Sequence, residues 1–417
     1  MDNPVSKRIL SPMEHESDIV IVGGGLNGPT LALALAQSGF SVTIVDAVVR
    51  ATQTAQDFDG RSYALALASV RLLDNLGLWE DLAPHSQAML EIKVSDGRAG
   101  DGVLSPFFLH FDHTEIEEGP MGHMLEDRYL RRRLATAVDQ QANITLLEGE
   151  TVVDQAAHAK GVTATLSSGR QLTARLLIGC DGRMSGTASR AGLKRNGWDY
   201  GQTALVCAID HAVPHAGTAH QFFMPPGPLA ILPLPGNQSS IVWSETHANA
   251  KAFNALPDAE YLQILRPRFG DFLGEIALAG KRFTYPLSLS LAESFVAERV
   301  ALVGDAAHGM HPIAGQGLNA GMRDIAALVQ TLKDAQKRGE DFASSLVLDR
   351  YQQWRRFDTS SLALATDLTN KLFSNDNPLL RLTRDIGMGA INAIPSLRRS
   401  FIREAAGLTG DLPDLMR

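Results

Sequence analysis

Cysteine is nearly missing from this chain: Cys180 and Cys207 are the only two among 417 residues, and neither sits in a CxxC. Two such cysteines build neither a disulfide framework nor a zinc site. No metal is therefore expected, and a reducing, cytoplasmic setting fits. Cys180 closes the apolar run Leu176–Gly179 and reads as a buried free thiol. Uninterrupted apolar stretches long enough to span a bilayer are also lacking. An excess of positive charge is lacking too. The formal net charge is −8, which leaves no global basic field to attract nucleic acid. Neither internal repeats nor a nucleophile–base triad can be read. Met1–Glu16 lacks the apolar centre of a signal peptide and is expected to be a loose extension.

What is present starts with an ordinary globular composition, 45% hydrophobic and 20% charged, over a length that allows two or three domains. Asp18-Ile-Val-Ile-Val22 is a short β-branched run, so a buried strand is expected. Gly23-Gly24-Gly25-Leu26-Asn27-Gly28 follows and opens a helix over Pro29–Ser38. A second strand, Ser41–Val45, ends at Asp46. Strand, GxGxxG, helix, strand and acid together make a dinucleotide fingerprint. Gly23 makes the turn, Gly25 admits the pyrophosphate, Gly28 allows close helix–strand packing, and Asp46 is placed for the adenosine ribose.

Near the other end, Arg299–Asp324 reads RVALVGDAAHGMHPIAGQGLNAGMRD. An apolar strand, Val300–Val303, runs into Gly304-Asp305, then a tight turn through His308, His311 and Pro312, then a glycine-rich helix start, Gly315-Gln316-Gly317-Leu318-Asn319. A carboxylate at a strand end can accept hydrogen bonds from ribityl hydroxyls. Glycines at a helix start let backbone N–H groups approach a planar ring, and the positive helix end favours an anionic edge. His308 and His311 are either structural turn residues or aids to protonation. A third strand-end motif, Asp181-Gly182, follows Leu172–Ile178, and ligands of open α/β sheets bind outside such strand ends.

Between these motifs, Arg61–Trp79 is read as a helix, with Arg61 near its start either solvated or facing an anion. Leu125–Val138 is an amphipathic helix whose Arg131–Arg133 read as a solvated face. Gly97–Gly102 opens no helix and is discounted as a phosphate loop. From Trp198 to Leu289 the pattern is short strands broken by prolines, with one helix around Asp258–Arg266. After Leu318 the chain reads as helical, and Pro378–Ile394 is amphipathic, suited to its own domain or to a weakly basic membrane or partner contact.

With these motifs quoted, the chain resembles class A FAD-dependent aromatic monooxygenases, the p-hydroxybenzoate hydroxylase-like group. HPIAGQGLNAGMRD resembles the signature of the ubiquinone-biosynthesis hydroxylases within it. Asp59–Leu65, Leu76–Trp79, Glu126-Asp-Arg128, Pro286-Leu287 and Thr366–Ser374 are similar to the same subfamily.

The resemblance implies an α/β (α+β mixed) fold. It comprises a discontinuous Rossmann-like FAD-binding domain (17–80, 120–195, 290–345), an inserted mixed β-sheet substrate domain (81–119, 196–289) and a C-terminal helical region (346–417). It implies noncovalent FAD held by Gly23, Gly25, Gly28 and Asp46. Arg128 would sit at the diphosphate or ribityl chain, Asp305 at the ribityl chain, and Gly317, Leu318 and Asn319 at the pyrimidine. Pro312 and Gly315 would lie beside the ring and Arg61 near it, with Asp181-Gly182 serving FAD and reductant. His311, Pro312 and Arg61 are the catalytic candidates. The implied reaction hydroxylates a polyprenylated phenol with O2 through a flavin C4a-hydroperoxide, inside a dry site. The reductant is NAD(P)H or a ferredoxin-type donor. The apolar Leu229–Pro235 segment is expected on the substrate side. Subunits of a ubiquinone-biosynthesis complex and the inner-membrane surface are the expected partners. The alternatives are an oxidase, a prenyl reductase, or a non-catalytic flavin-binding subunit. Oligomeric state is not legible.

Overall fold

A computed structural model describes residues 15–54, 61–96, 108–310, 315–373 and 391–417. One sheet is built around Ser17–Val22. Its order runs Val296–Ala297, Val300–Leu302, Gln171–Gly179, Ser17–Val22, Val42–Asp46, Ile144–Glu148. All neighbours from Val300–Leu302 onward are parallel. Ile19–Val22 is a continuous apolar, buried run, as a strand inside a parallel sheet covered on both faces requires. Its two partners lie on opposite sides, so the chain switches direction at its carboxyl end and a crevice opens there.

The helix Asn27–Gln37 and the long helix Gln316–Lys337 pack on each other and on one face of this sheet. In the long helix Met322, Ile325, Ala326, Val329 and Leu332 recur every three or four residues, and all are buried. Two segments almost 300 residues apart thus share one core, because each helix has a single apolar stripe to bury.

A second, nine-stranded sheet is mostly antiparallel and carries Arg195–His211 near its middle. That strand is 17 residues long. Its first part pairs with Ser288–Ala292, and its later part lies between Phe283–Leu287 and Gln238–Thr246. His308–Gly309, just past Asp305, pairs with Ser290-Leu291 and so ties the end of the first sheet to the second. Ser62–Ala66, Gly122–Glu126 and Ser86–Met89 form a small third sheet between the two.

The reading of Arg61–Trp79 as one helix needs correction. Ser62–Ala66 is a strand paired with Gly122–Glu126, and the helix covers only Leu67–Asn75. The alternation of Ser62, Ala64 and Ala66 with Tyr63 and Leu65 suits a strand, and tertiary pairing decided between the two periods. A helix at His247–Asn254 was not expected. His311 and Pro312, Gly97–Gly102, and most of Pro378–Ile394 lie outside the described residues.

Candidate active site

The crevice at the carboxyl end of Ser17–Val22 continues as a groove. Two hollows of about 840 and 360 Å³ adjoin and share Gly25, Arg131, Cys180 and Gly182. Asp46, Thr52 and Glu150 line one end, and Asp305, Gly315, Gly317 and Leu318 the other.

The glycines of the fingerprint divide by what surrounds them. Gly23 adopts φ +107°, and a Cβ there would lie 2.4 Å from the Cys180 carbonyl oxygen. A Cβ on Gly28 would lie 1.9 Å from the Gly23 carbonyl oxygen, so Gly28 is needed for helix–strand packing. Gly25 is different. Nothing in the protein lies within 4 Å of its Cβ position, and the same holds for Gly317. Neither is required by the protein's own packing at that position, and both face the groove.

Two helices open onto the groove at these glycines. Neither Asn27–Gln37 nor Gln316–Lys337 has a side-chain cap among the described residues, and an uncapped helix start of this kind suits an anionic ligand. At one end Asp46 accepts from the Gln53 amide at 2.7 Å. At the other, Asp305 faces Arg183 at 3.3 Å. On the wall, Asp127 is buried and binds Arg131 at 2.5 Å, the Tyr63 hydroxyl at 2.9 Å and Arg61 at 3.7 Å. Burial and then the Asp127 charge push the Tyr63 hydroxyl's pKa upward, so it stays a donor.

The loop from Gly304 to Met310 is clamped from several sides. Arg195 donates to the Asp305 and Ala306 carbonyls at 2.9 and 2.8 Å. Gly304 N–H donates to Asp324 at 3.0 Å. Asp324 is fully buried, with His308 at 2.6 Å and Arg355 at 2.9 Å. Burial alone would raise the Asp324 carboxyl, but His308 and Arg355 outweigh it and hold the pKa below the usual value. His308 thus serves the protein's interior rather than the groove. Neither this network nor Arg195 was anticipated; the Asp at the end of GMRD was the available signal.

At three of the expected contacts the side chains are already engaged within the protein. Arg128 is not on the groove wall; it pairs with Glu126 at 2.8 Å and lies over the Tyr129 ring. Arg131, one turn on and expected to be solvated, lines the groove instead. The helix Asp127–Asp139 docks with that side inward. The Asp181 carboxylate is consumed by Ser185 at 2.5 Å and by the Thr187 backbone and hydroxyl at 2.9 Å. Asp181 and Gly182 do border the groove. The Asn319 side chain is likewise spent: its carbonyl accepts from Ala66 N–H and Ser69, and its amide donates to Ala64 and Gly315. It pins the strand Ser62–Ala66 to the helix start.

Where the groove ends, a second space begins. A cavity of about 230 Å³ shares Gly315 with it and is lined by Ala64, Ala66, Met89, Met121, Phe223, Ala230, Leu232 and Val242, among others. Ala230 and Leu232 belong to the segment expected on the substrate side. The only titratable lining residue among those described is His220. Its ring packs on Phe272 at 4.4 Å, and burial, aided by Lys93, pushes its pKa down to about 4. Among the described residues the cavity wall therefore carries no charge near neutral pH.

The comparisons with known proteins bear on this geometry. The family model described as "FAD binding domain" matches residues 16–362. The chain belongs to that family. FAD is its cofactor, and its groove fits one. The chain is 44% identical to ubiquinone hydroxylase UbiL of Rhodospirillum rubrum over 404 residues, 96% of this chain and 92% of that protein. It is 33% identical to 3-demethoxyubiquinol 3-hydroxylase of Escherichia coli, covering 94% and 99% of the two. Its fold is similar to p-nitrophenol 4-monooxygenase PnpA of Pseudomonas putida, with a TM-score of 0.77 at 21% identity, over 95% of this chain and 99% of that one. Among the described residues, no helix is long and apolar enough to cross a membrane.

Proposed function

We propose that this protein hydroxylates the aromatic ring of a polyprenylated phenol in ubiquinone biosynthesis, using FAD and O2. The observation that carries the reading is the meeting of groove and apolar cavity at Gly315. In this reading Asp46 takes the adenosine ribose, Gly25 and the uncapped helix start take the diphosphate, and Arg131 neutralises it. Asp305 takes the ribityl hydroxyls, and Gly317 and Leu318 border the ring. Bound FAD supplies the electrons and the activation of O2 for transfer of one oxygen atom to the substrate. The protein positions the phenol ring and keeps water out, and the apolar lining of the cavity suits both tasks. His311 and Pro312 remain catalytic candidates in this proposal, Pro312 beside the ring and His311 as an aid to protonation.

At about 230 Å³ the cavity is smaller than the roughly 300–1,000 Å³ pockets that enclose a drug-sized ligand. It suits a ring and the start of a tail, so the rest of a polyprenyl chain must leave. Ala405 of the helix Pro395–Ala405 lines the cavity, and Phe401 of that helix stacks on Phe111 of the wall. Ile394, just before it, and Leu397 and Phe401 within it are exposed. This row leads the tail outward and is the proposed contact with a membrane surface.

The test is a single turnover of chemically reduced, FAD-loaded protein with a short-tailed 2-prenylphenol and 18O2. A ring-hydroxylated product with one labelled oxygen is expected. Labelled peroxide with no product, across several substitution patterns, would sink the reading in favour of an oxidase or a flavin-binding subunit. The donor is then assigned by whether NAD(P)H or a ferredoxin-type protein bleaches the flavin.

A further inference from the structure

We infer that the side-chain amide of Gln221 anchors the ring oxygen of the substrate, and that the cavity selects a neutral phenol over an aromatic acid. The inference rests on the hydroxylase reading above and names what that site recognises.

Gln221 lies in the strand Thr218–Phe223. The two-residue period sends Ala219, Gln221 and Phe223 to the cavity face. Phe222 points the other way, into the core that holds Trp243, and His220 packs its ring on Phe272. Strand register places Gln221 between Val94 and Ala230, with Val242 beyond Ala230. Gln221 is thus the one polar member of a cross-strand row on the cavity face. Its neighbours Ala219 and Ala230 are too small to cover it.

The other amides at the cavity are engaged. Asn319 makes four hydrogen bonds within the protein, and Gln316 already has an interaction partner. The side-chain amide of Gln221 makes no hydrogen bond with any described residue, its backbone being paired in the sheet. A polar group facing an apolar space is costly unless something pairs with it. An amide pairs with a phenol in either sense, its carbonyl accepting from the hydroxyl or its N–H₂ donating to the oxygen. It does not neutralise a carboxylate. Among the described lining residues no arginine or lysine is present to do so.

The experiment uses oxidised, FAD-loaded protein without reductant, so that binding is read apart from turnover. Equilibrium dialysis measures a 2-prenylphenol, the matching prenylbenzene that lacks the hydroxyl, and 4-hydroxybenzoate. In the wild type the phenol should bind more tightly than prenylbenzene, and 4-hydroxybenzoate should not compete. Gln221→Leu should lower the phenol-to-prenylbenzene preference by about 3- to 10-fold, the value of one neutral hydrogen bond. Its flavin spectrum and melting temperature should stay unchanged. Gln221→Asn, with a shorter amide, should fall between the two. In single turnover, Gln221→Leu should also spread hydroxylation over more than one ring position, which a merely structural role would not do. An unchanged preference in Gln221→Leu with a normal flavin spectrum overturns the inference, as does 4-hydroxybenzoate binding as tightly as the phenol. If the wild type yields no labelled product from the phenol, the hydroxylase reading fails and this inference falls with it.

Discussion

Two glycines three residues apart give the sharpest test of the groove. Gly25 and Gly28 both belong to GxGxxG, and a purely structural turn would need both. Their surroundings differ. A methyl group on Gly28 would lie 1.9 Å from a backbone oxygen, so the helix Asn27–Gln37 must shift away from the sheet. Overpacking of this kind costs about 1–3 kcal/mol. Gly28→Ala should therefore melt several degrees below the wild type even as apoprotein. A methyl group on Gly25 meets nothing within 4 Å, and its backbone is not in the left-handed region. Gly25→Ala should leave the apoprotein unharmed, or more stable by about 0.4–1 kcal/mol through a stiffer unfolded chain. Its cost should appear only with FAD. Losing one hydrogen bond to a phosphate oxygen is worth about 1.5–3 kcal/mol, so affinity should drop roughly 10- to 150-fold. Thermal scanning of apoprotein and titration of flavin fluorescence separate the two effects. If Gly25→Ala lowered the apoprotein melting temperature as much as Gly28→Ala and left FAD affinity intact, the assignment of the groove would be wrong.

Three further outcomes are expected. Arg131→Leu should weaken FAD binding about tenfold or more, while Arg128→Leu, turned toward Glu126 and Tyr129, should change it little; the same titration compares them. Asp324→Asn should destabilise the fold by about 3–5 kcal/mol, because it leaves Arg355 and His308 without a buried counter-charge. In the wild type the depressed Asp324 pKa adds stability that is present above the unfolded value of about 3.9 and lost as pH falls below it toward the folded value. Melting temperature in acid should accordingly fall more steeply for the wild type than for Asp324→Asn. Finally, Leu397→Asp with Phe401→Asp should lower turnover of a long-tailed phenol in vesicles and spare a short-tailed one in solution. Equal activity on both would remove the membrane contact from the proposal.

The first sheet's inner strands and the fingerprint were legible because their signal is local. A β-branched run, glycines at fixed offsets and a terminal acid lie within 29 residues, Asp18 to Asp46, and each constrains the backbone next to it. Gly304-Asp305 and the glycine-rich helix start were legible for the same reason. Ser62–Ala66 was not: its small and apolar residues satisfy a helix as well as a strand. Pairing with Gly122–Glu126 and the bonds from Asn319 decided it. Which of the four arginines within six positions of one helix lines the groove was not legible, because only the way that helix docks brings Arg131 to it.

The sequence by itself determined the dinucleotide crossover and the cofactor class, since these depend on residues close in the chain. The tertiary structure decided the cavity. Ala64, Met89, Met121, Gln221, Val242, Gly315 and Ala405 come from seven separate stretches, and no local pattern joins them. They meet because the second and third sheets and two helices pack around the end of the groove. The lone amide in that cavity could be recognised only once its strand neighbours were known.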